Sequence, residues 1–150
     1  MNDPSWLQEE QAFSLLALVV ATEAGMREEI PVGAVLADPV GRILATAGNR
    51  CLNPVDPSGH AEIRALRLAA ARVGNFRLPL ARLVITLEPC PMCLAALSMA
   101  RLECIRFAAS RTQDGQDILQ EHANASAMLL RDFFQPKREN KNARQNQTQE

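Results

Sequence analysis

Two short clusters about thirty residues apart, His60-Ala61-Glu62 and Pro89-Cys90-Pro91-Met92-Cys93, restrict this chain more than anything else in it. Between them they offer an imidazole, two thiols and a carboxylate. That is the donor set of a hydrolytic zinc site: three protein ligands, a fourth position open to water, and a group to move the water's proton. A fold that uses both clusters must bring two remote segments to one point. Cys90 and Cys93 are three apart, so a helix beginning there sets both sulfurs on nearly the same face. Pro91 suits a first helical turn, where its missing N–H costs nothing, and the partial positive charge of a helix start favours thiolates. His60 and Glu62 are two apart and would diverge along a mature helix. They must therefore sit in a first turn, where the helix axis itself aims at the metal and its dipole faces the activated water.

A lone Cys-x-x-Cys is equally consistent with two unliganded cysteines; His60 and Glu62 argue for a metal. A closed Cys₂His₂ site needs a second histidine, and the only other one, His122, lies in a polar, Ala-rich stretch that reads as surface. Cys51 and Cys104 have no evident partner and read as small apolar residues.

A chain of 150 residues with net charge −1 and 47% hydrophobic residues is expected to form one soluble domain around one core. Its longest mostly apolar stretch, Leu15 to Ala21, is too short to span a bilayer and follows Glu9 and Glu10, not a basic run. No membrane association is expected, and the cytoplasm, which keeps thiols reduced, is the expected compartment. Balanced charge gives no overall bias toward nucleic acid; Arg50, Arg77 and Arg111 could track phosphates, but isolated arginines read first as solvated surface. Residues 1–136 form the candidate domain; 137–150, rich in Asn, Gln, Arg and Glu with no apolar face, read as a polar, disordered tail.

The elements follow from periodicity. Phe13, Leu16, Val20 and Ala24 recur at helical spacing from Glu9 to Ala24, with Gly25 at a C-cap position. Val32 to Ala37 and Arg42 to Ala47 read as a hairpin around the turn Asp38 to Gly41. Asn49 to Gly59, with two prolines, two asparagines and a glycine, reads as a long loop leading into His60. A helix from His60 has Ile63, Leu66, Ala70 and Val73 on one face and stops at Gly74. Leu83 to Thr86 is a strand, Met92 to Ala100 a helix, Cys104 to Ala108 a fourth strand, Thr112 to Gln116 a loop, and Ala125 to Phe134 a last helix halted by Pro136. This is an α/β domain with helices covering a sheet.

The order His-x-Glu, then Pro-Cys-x-x-Cys, is recognised as the zinc deaminase signature. Beyond it, Ile30 to Val35, Gly48-Asn49-Arg50, Asp56 to Arg67, Asn75 to Leu78, Thr86 to Cys93 and Leu129 to Phe134 resemble the bacterial tRNA adenosine deaminases of the cytidine and deoxycytidylate deaminase superfamily. The resemblance runs from about Phe13 to Arg138. It implies a three-layer α-β-α fold with a mixed sheet of four to five strands and helices on both faces. It also implies conversion of wobble adenosine to inosine in the tRNA anticodon stem-loop, by a homodimer whose interface contributes to substrate binding. Zn2+ ligands would be His60, Cys90 and Cys93, with Glu62 as the proton shuttle. Asn49 would hydrogen-bond the target base, Val32 and Ala61 would line its pocket, and the Glu88 carbonyl would lie beside the water. On residue type alone Asn49 is equally a turn residue, and Val32 and Ala61 equally ordinary core.

Two departures concern the substrate. Where the tRNA enzymes carry an arginine-aspartate pair after the fourth strand, this chain has Ser110-Arg111, and Thr112 to Asn124 is shorter, with no convincing fifth strand. Deamination of a free base, nucleoside or nucleotide (guanine, cytosine or cytidine type) therefore stands as an alternative, and a non-catalytic zinc-binding partner subunit as a further one.

Overall fold

The computed structural model describes residues 4–111 and 120–147. Its elements are α1 (Pro4–Met26), β1 (Gly33–Ala37), β2 (Ile43–Gly48), α2 (Ala61–Val73), β3 (Arg82–Leu87), α3 (Pro91–Met99), β4 (Cys104–Ala109) and α4 (Gln120–Gln147). The four strands form one mixed sheet in the order β2-β1-β3-β4. β1 is antiparallel to both neighbours, and β3 and β4 run parallel. Such a parallel pair needs a crossover, and α3 supplies it.

Both faces of the sheet are covered, and for this reason β1 is an unbroken buried run and not an alternating one. On one face Ala34, Leu36, Leu83 and Ile85 meet Ala61, Ala65 and Ala69 of α2 and Leu97 of α3. The alanine stripe lets α2 lie close to the strands. On the other face Val35, Ala37, Val84 and Ala108 meet Phe13 and Ala17 of α1, and α4 packs beside α1 against β4. Gly33 is where α1 comes closest: a Cβ there would stand 2.1 Å from the Ala17 carbonyl oxygen.

Three local readings of the sequence are corrected. Helix α1 does not stop at Gly25 but runs to Met26. Glu28 takes the left-handed turn (φ 62°), and the N–H groups of Glu28 and Glu29 bond the carbonyls of Gly25 and Ala24, a Schellman end built without glycine. Pro136 does not end the last helix: α4 contains it and continues through Gln147, so the boundary expected at 136 falls inside an element. Residues around Pro136 are solvent-exposed, so the carbonyl that proline leaves without an N–H is open to water. Lys137 lies over the Phe133 ring, 3.6 Å from its centroid, and links the turns on either side. Finally, His122 is half-buried, with Nδ1 2.8 Å from the Ser14 hydroxyl of α1. The loop expected from Thr112 to Gln116 lies outside the described residues, as do 148–150 of the tail. The sheet has four strands among the described residues.

The Schellman end turns Glu29 inward, where it is 1% exposed. Its carboxylate accepts the N–H groups of Cys51 and Leu52 (2.8 and 2.9 Å) through one oxygen and of Asn53 (2.9 Å) through the other. Burial alone would raise its pKa, but these donors and the Arg50 charge outweigh burial and leave it lowered. Replacing Glu29 by Gln removes the charge and presents an amide donor to backbone donors. The expected cost is about 2 kcal/mol or more. A lowered folded pKa means the stabilisation is complete above the ordinary value of 4.5 and is lost as pH falls through the folded pKa. Urea unfolding at pH 7 and pH 3 should therefore show the two proteins further apart at pH 7; an equal gap at both would contradict a role for the charge.

Candidate metal centre

Helices α2 and α3 start at one end of the sheet, and their N-caps are His60 and Cys90. Both N-caps have extended backbones (φ −68°, ψ 149° and φ −75°, ψ 167°), and neither side chain bonds its own helix. Each instead lends its helix a carbonyl, bonded by Arg64 N–H and Leu94 N–H respectively. The imidazole and thiol are thus left to point beyond the helix ends. Cys93 falls one turn into α3 and is buried, and Pro91 occupies the first helical position.

His60 Nδ1 lies 3.6 Å from Cys90 Sγ and 3.5 Å from Cys93 Sγ, and the three ligand atoms all fall within 4.8 Å of one another. Tetrahedral zinc, with Zn–N about 2.05 Å and Zn–S about 2.3 Å, asks for an N···S separation of about 3.6 Å. The donor set fits, through the δ nitrogen of the histidine. Charge points the same way: burial, then the Glu62 carboxylate and the Cys90 thiol, push the Cys93 thiol well above its ordinary pKa. Holding both sulfurs as thiolates beside Glu62 requires a cation.

Glu62 stands in the first turn of α2 and is 4% exposed. Burial raises its pKa against the opposing effects of its own N–H, Cys93, His60 and Arg111. Asn49, also buried, accepts the Ala61 N–H on Oδ1 at 2.8 Å. That bond fixes which end of the amide is oxygen, and leaves Nδ2 as the donor Asn49 can offer a ligand. Its position depends on the loop from Cys51 to Gly59, whose ends are tied by Arg50 N–H to the Gly59 carbonyl at 2.8 Å. A Cβ on Gly59 would stand 2.1 Å from the Arg50 oxygen, so only glycine permits the closure just ahead of His60.

A cavity of about 610 Å³ opens beside these groups, lined among others by Val32, Asn49, His60, Glu62 and Glu88. Ala61 is not in its lining; it is fully buried in the core, and the N–H bonded by Asn49 is what it contributes. Glu88 is held from three sides. Its N–H bonds the Ala109 carbonyl at 2.8 Å, its carboxylate accepts Ser110 Oγ and Arg111 N–H at 2.9 and 2.8 Å, and its carbonyl accepts Arg111 Nε at 2.8 Å. The Arg111 and Ser110 bonds lower the Glu88 pKa. Arg111, read as solvated surface, is therefore part of the cavity wall.

Helix α4 completes the wall with Leu130, Phe134 and Arg138, none of which sequence reasoning places at the site. Their spacing of four is the available signal, masked because Pro136 reads as a helix end. His122 is in neither the ligand cluster nor this lining.

A sheet covered on both faces, with His/Cys/Cys ligands at two helix starts and a buried glutamate beside them, defines a zinc-dependent deaminase class of site. The chain belongs to that family: the cytidine and deoxycytidylate deaminase zinc-binding region matches residues 7–109. A tRNA-specific adenosine deaminase of Agrobacterium fabrum is 39% identical over 150 aligned residues, covering 88% of this chain and 98% of the relative. A solved structure from work on A-to-I editing by tRNA deaminases at the wobble position is 46% identical, with TM-score 0.66, and covers 70% of this chain and 75% of the other. A guanine deaminase structure from Bacillus subtilis is 35% identical, with TM-score 0.63, and covers 67% and 64%.

Metal analysis of the purified chain is expected to find close to one zinc per chain. His60→Gln and Cys90→Ser should fall well below that, while Cys104→Ser, at a thiol outside the cluster, should keep it. Equal loss in Cys104→Ser and Cys90→Ser would contradict the assigned ligand set.

Proposed function

We propose that this chain is a zinc-dependent hydrolytic deaminase that converts adenosine to inosine at the wobble position of tRNA. The observation that carries the chemistry is the buried Glu62 beside the His60-Cys90-Cys93 cluster, and the tRNA-specific relatives support the substrate. His60, Cys90 and Cys93 would hold the ion. Bound zinc lowers the pKa of a water and so supplies a nucleophile at neutral pH. Glu62, kept out of solvent, accepts the proton that this water gives up and delivers it to the ring nitrogen, then takes the second proton from the hydroxyl newly bonded to the ring carbon and delivers it to the departing amine. The C–NH₂ bond of the amidine-like ring carbon breaks, a C=O bond forms, and ammonia leaves. Asn49 Nδ2 orients the base by donating to an acceptor on it, and Val32 packs on the ring.

The assembly we propose is a homodimer working in the cytoplasm. Leu68 of α2 and Met92, Leu94 and Met99 of α3 are exposed on two helices that pack together. An apolar surface of that kind supports a subunit contact. Among the described residues no helix is long and apolar enough to cross a membrane.

The free-base alternative draws on the likeness to guanine deaminase and on Arg111 at the cavity wall. A single panel decides between them: ammonia release by the zinc-loaded protein from an anticodon stem-loop, single-stranded DNA, adenine, guanine and cytosine. Release from the stem-loop alone is expected, and equal turnover of a free base would overturn the tRNA reading. Glu62→Gln should keep its zinc and lose roughly a thousandfold or more in kcat. Unchanged turnover in that variant would refute the shuttle, and no release by the wild type from any substrate would favour a non-catalytic zinc-binding subunit.

A further inference from the structure

A second concavity, of about 530 Å³, lies at the free edge of the sheet, between the end of α1, strand β2 and the loop after it. Arg27, Arg50 and Arg64 line it together with the Thr46 side chain. The three arginines come from three separate segments, and the guanidinium groups of two of them meet at Gly48. Arg64 donates from Nη1 to the Gly48 carbonyl, and Arg27 Nη2 stands 3.5 Å from where a Gly48 Cβ would be. Arg50 follows two residues on, at the start of the loop. Arg64 is half-buried, and its pKa is lowered by burial first and then by the charges of Arg50 and Arg27.

Three like charges this close are unfavourable unless something negative sits among them. None of the three forms an ion pair among the described residues. The carboxylates in the wall are Glu29 and Glu23. The Glu29 charge acts on Arg50 and Arg64, but it is one charge against three, both its oxygens are bonded to the loop N–H groups, and Glu23 is exposed on α1. Arg67, on the next turn of α2, is not in this lining; its charge is felt by Asp56, in a neighbouring concavity that Arg50 and Arg64 also line. We propose that Arg27, Arg50 and Arg64 form an anion site for a phosphate group, in a cavity distinct from the one beside the metal centre. The forked N–H donors of arginine match phosphate oxygens, and the exposed Thr46 lines the same wall. Gly48 and Arg50 face this pocket while Asn49 between them faces the catalytic cavity. A phosphate held here would thus lie one residue step along the backbone from the group that orients the base.

The phosphate can come from a free phosphate compound or from an RNA backbone, and the experiment separates the two sources. Inorganic phosphate is titrated by calorimetry into the zinc-loaded wild type, Arg27→Glu, Arg64→Gln and Arg67→Gln, each checked for zinc content and circular dichroism. Saturable binding is expected in the wild type, at least tenfold weaker in Arg27→Glu and Arg64→Gln and within about twofold in Arg67→Gln. Arg27 is exposed at the end of a helix, so its variant keeps the test valid if Arg64→Gln does not fold. No saturable binding, or equal binding in Arg27→Glu, overturns the site. In a second arm the salt dependence of anticodon stem-loop affinity is compared in wild type and Arg27→Glu. A slope shallower by about one in the variant assigns the phosphate to RNA, and an unchanged slope with phosphate binding lost assigns it to a free ligand. The RNA arm rests on the tRNA reading above, whereas the inorganic phosphate arm does not, so the failure of one is distinguishable from the failure of the other.

Discussion

Two thiols, an imidazole and a buried carboxylate meet where helices α2 and α3 begin, and only a cation makes that meeting favourable. Burial and the nearby Glu62 push the Cys93 thiol up, so the same enclosure that makes the site useful opposes the charges it needs. The helix starts supply part of the answer as oriented dipoles, and the metal supplies the rest. Because His60 and Cys90 are N-caps that do not cap, the fold gives up two ordinary helix-stabilising bonds to keep those side chains for an ion.

Everything around the centre holds the two helix starts in place. β3 runs beside β1 at the centre of the sheet and leads into Glu88-Pro89-Cys90, which fixes α3. Helix α2 has no strand directly before it, so its start depends on the loop after β2. That loop is anchored by Glu29 at one end, closed on Gly59 at the other, and joined to α2 by Asn49. A side chain from just beyond the end of α1 thus governs the position of a metal ligand about thirty residues later. Glu88 does the same for β4, drawing Ser110 and Arg111 against the cavity.

Much of this is legible in the sequence. The clusters at His60 and Cys90 point to helix starts because a two-residue spacing cannot share a helix face and a three-residue spacing can. The strand at Leu83 to Thr86 is legible because its apolar run is short and β-branched. What stays hidden depends on tertiary context. Nothing in Glu28 advertises a left-handed helix end, and a buried Glu29 looks in sequence like any surface acid. Pro136 is a helix breaker by propensity, yet in an exposed turn its lost bond is open to water, so Arg138 reaches the cavity wall. Arg111 looks like an isolated charge because its partner, the Glu88 carbonyl, is a backbone atom.

Zinc K-edge X-ray absorption on the zinc-loaded protein tests the central claim most directly. The expected first shell holds two sulfurs at about 2.3 Å and two nitrogen or oxygen neighbours at about 2.0 to 2.1 Å, one nitrogen from His60 and the other position open to water. A shell of four sulfurs, or one with no sulfur at all, would contradict it.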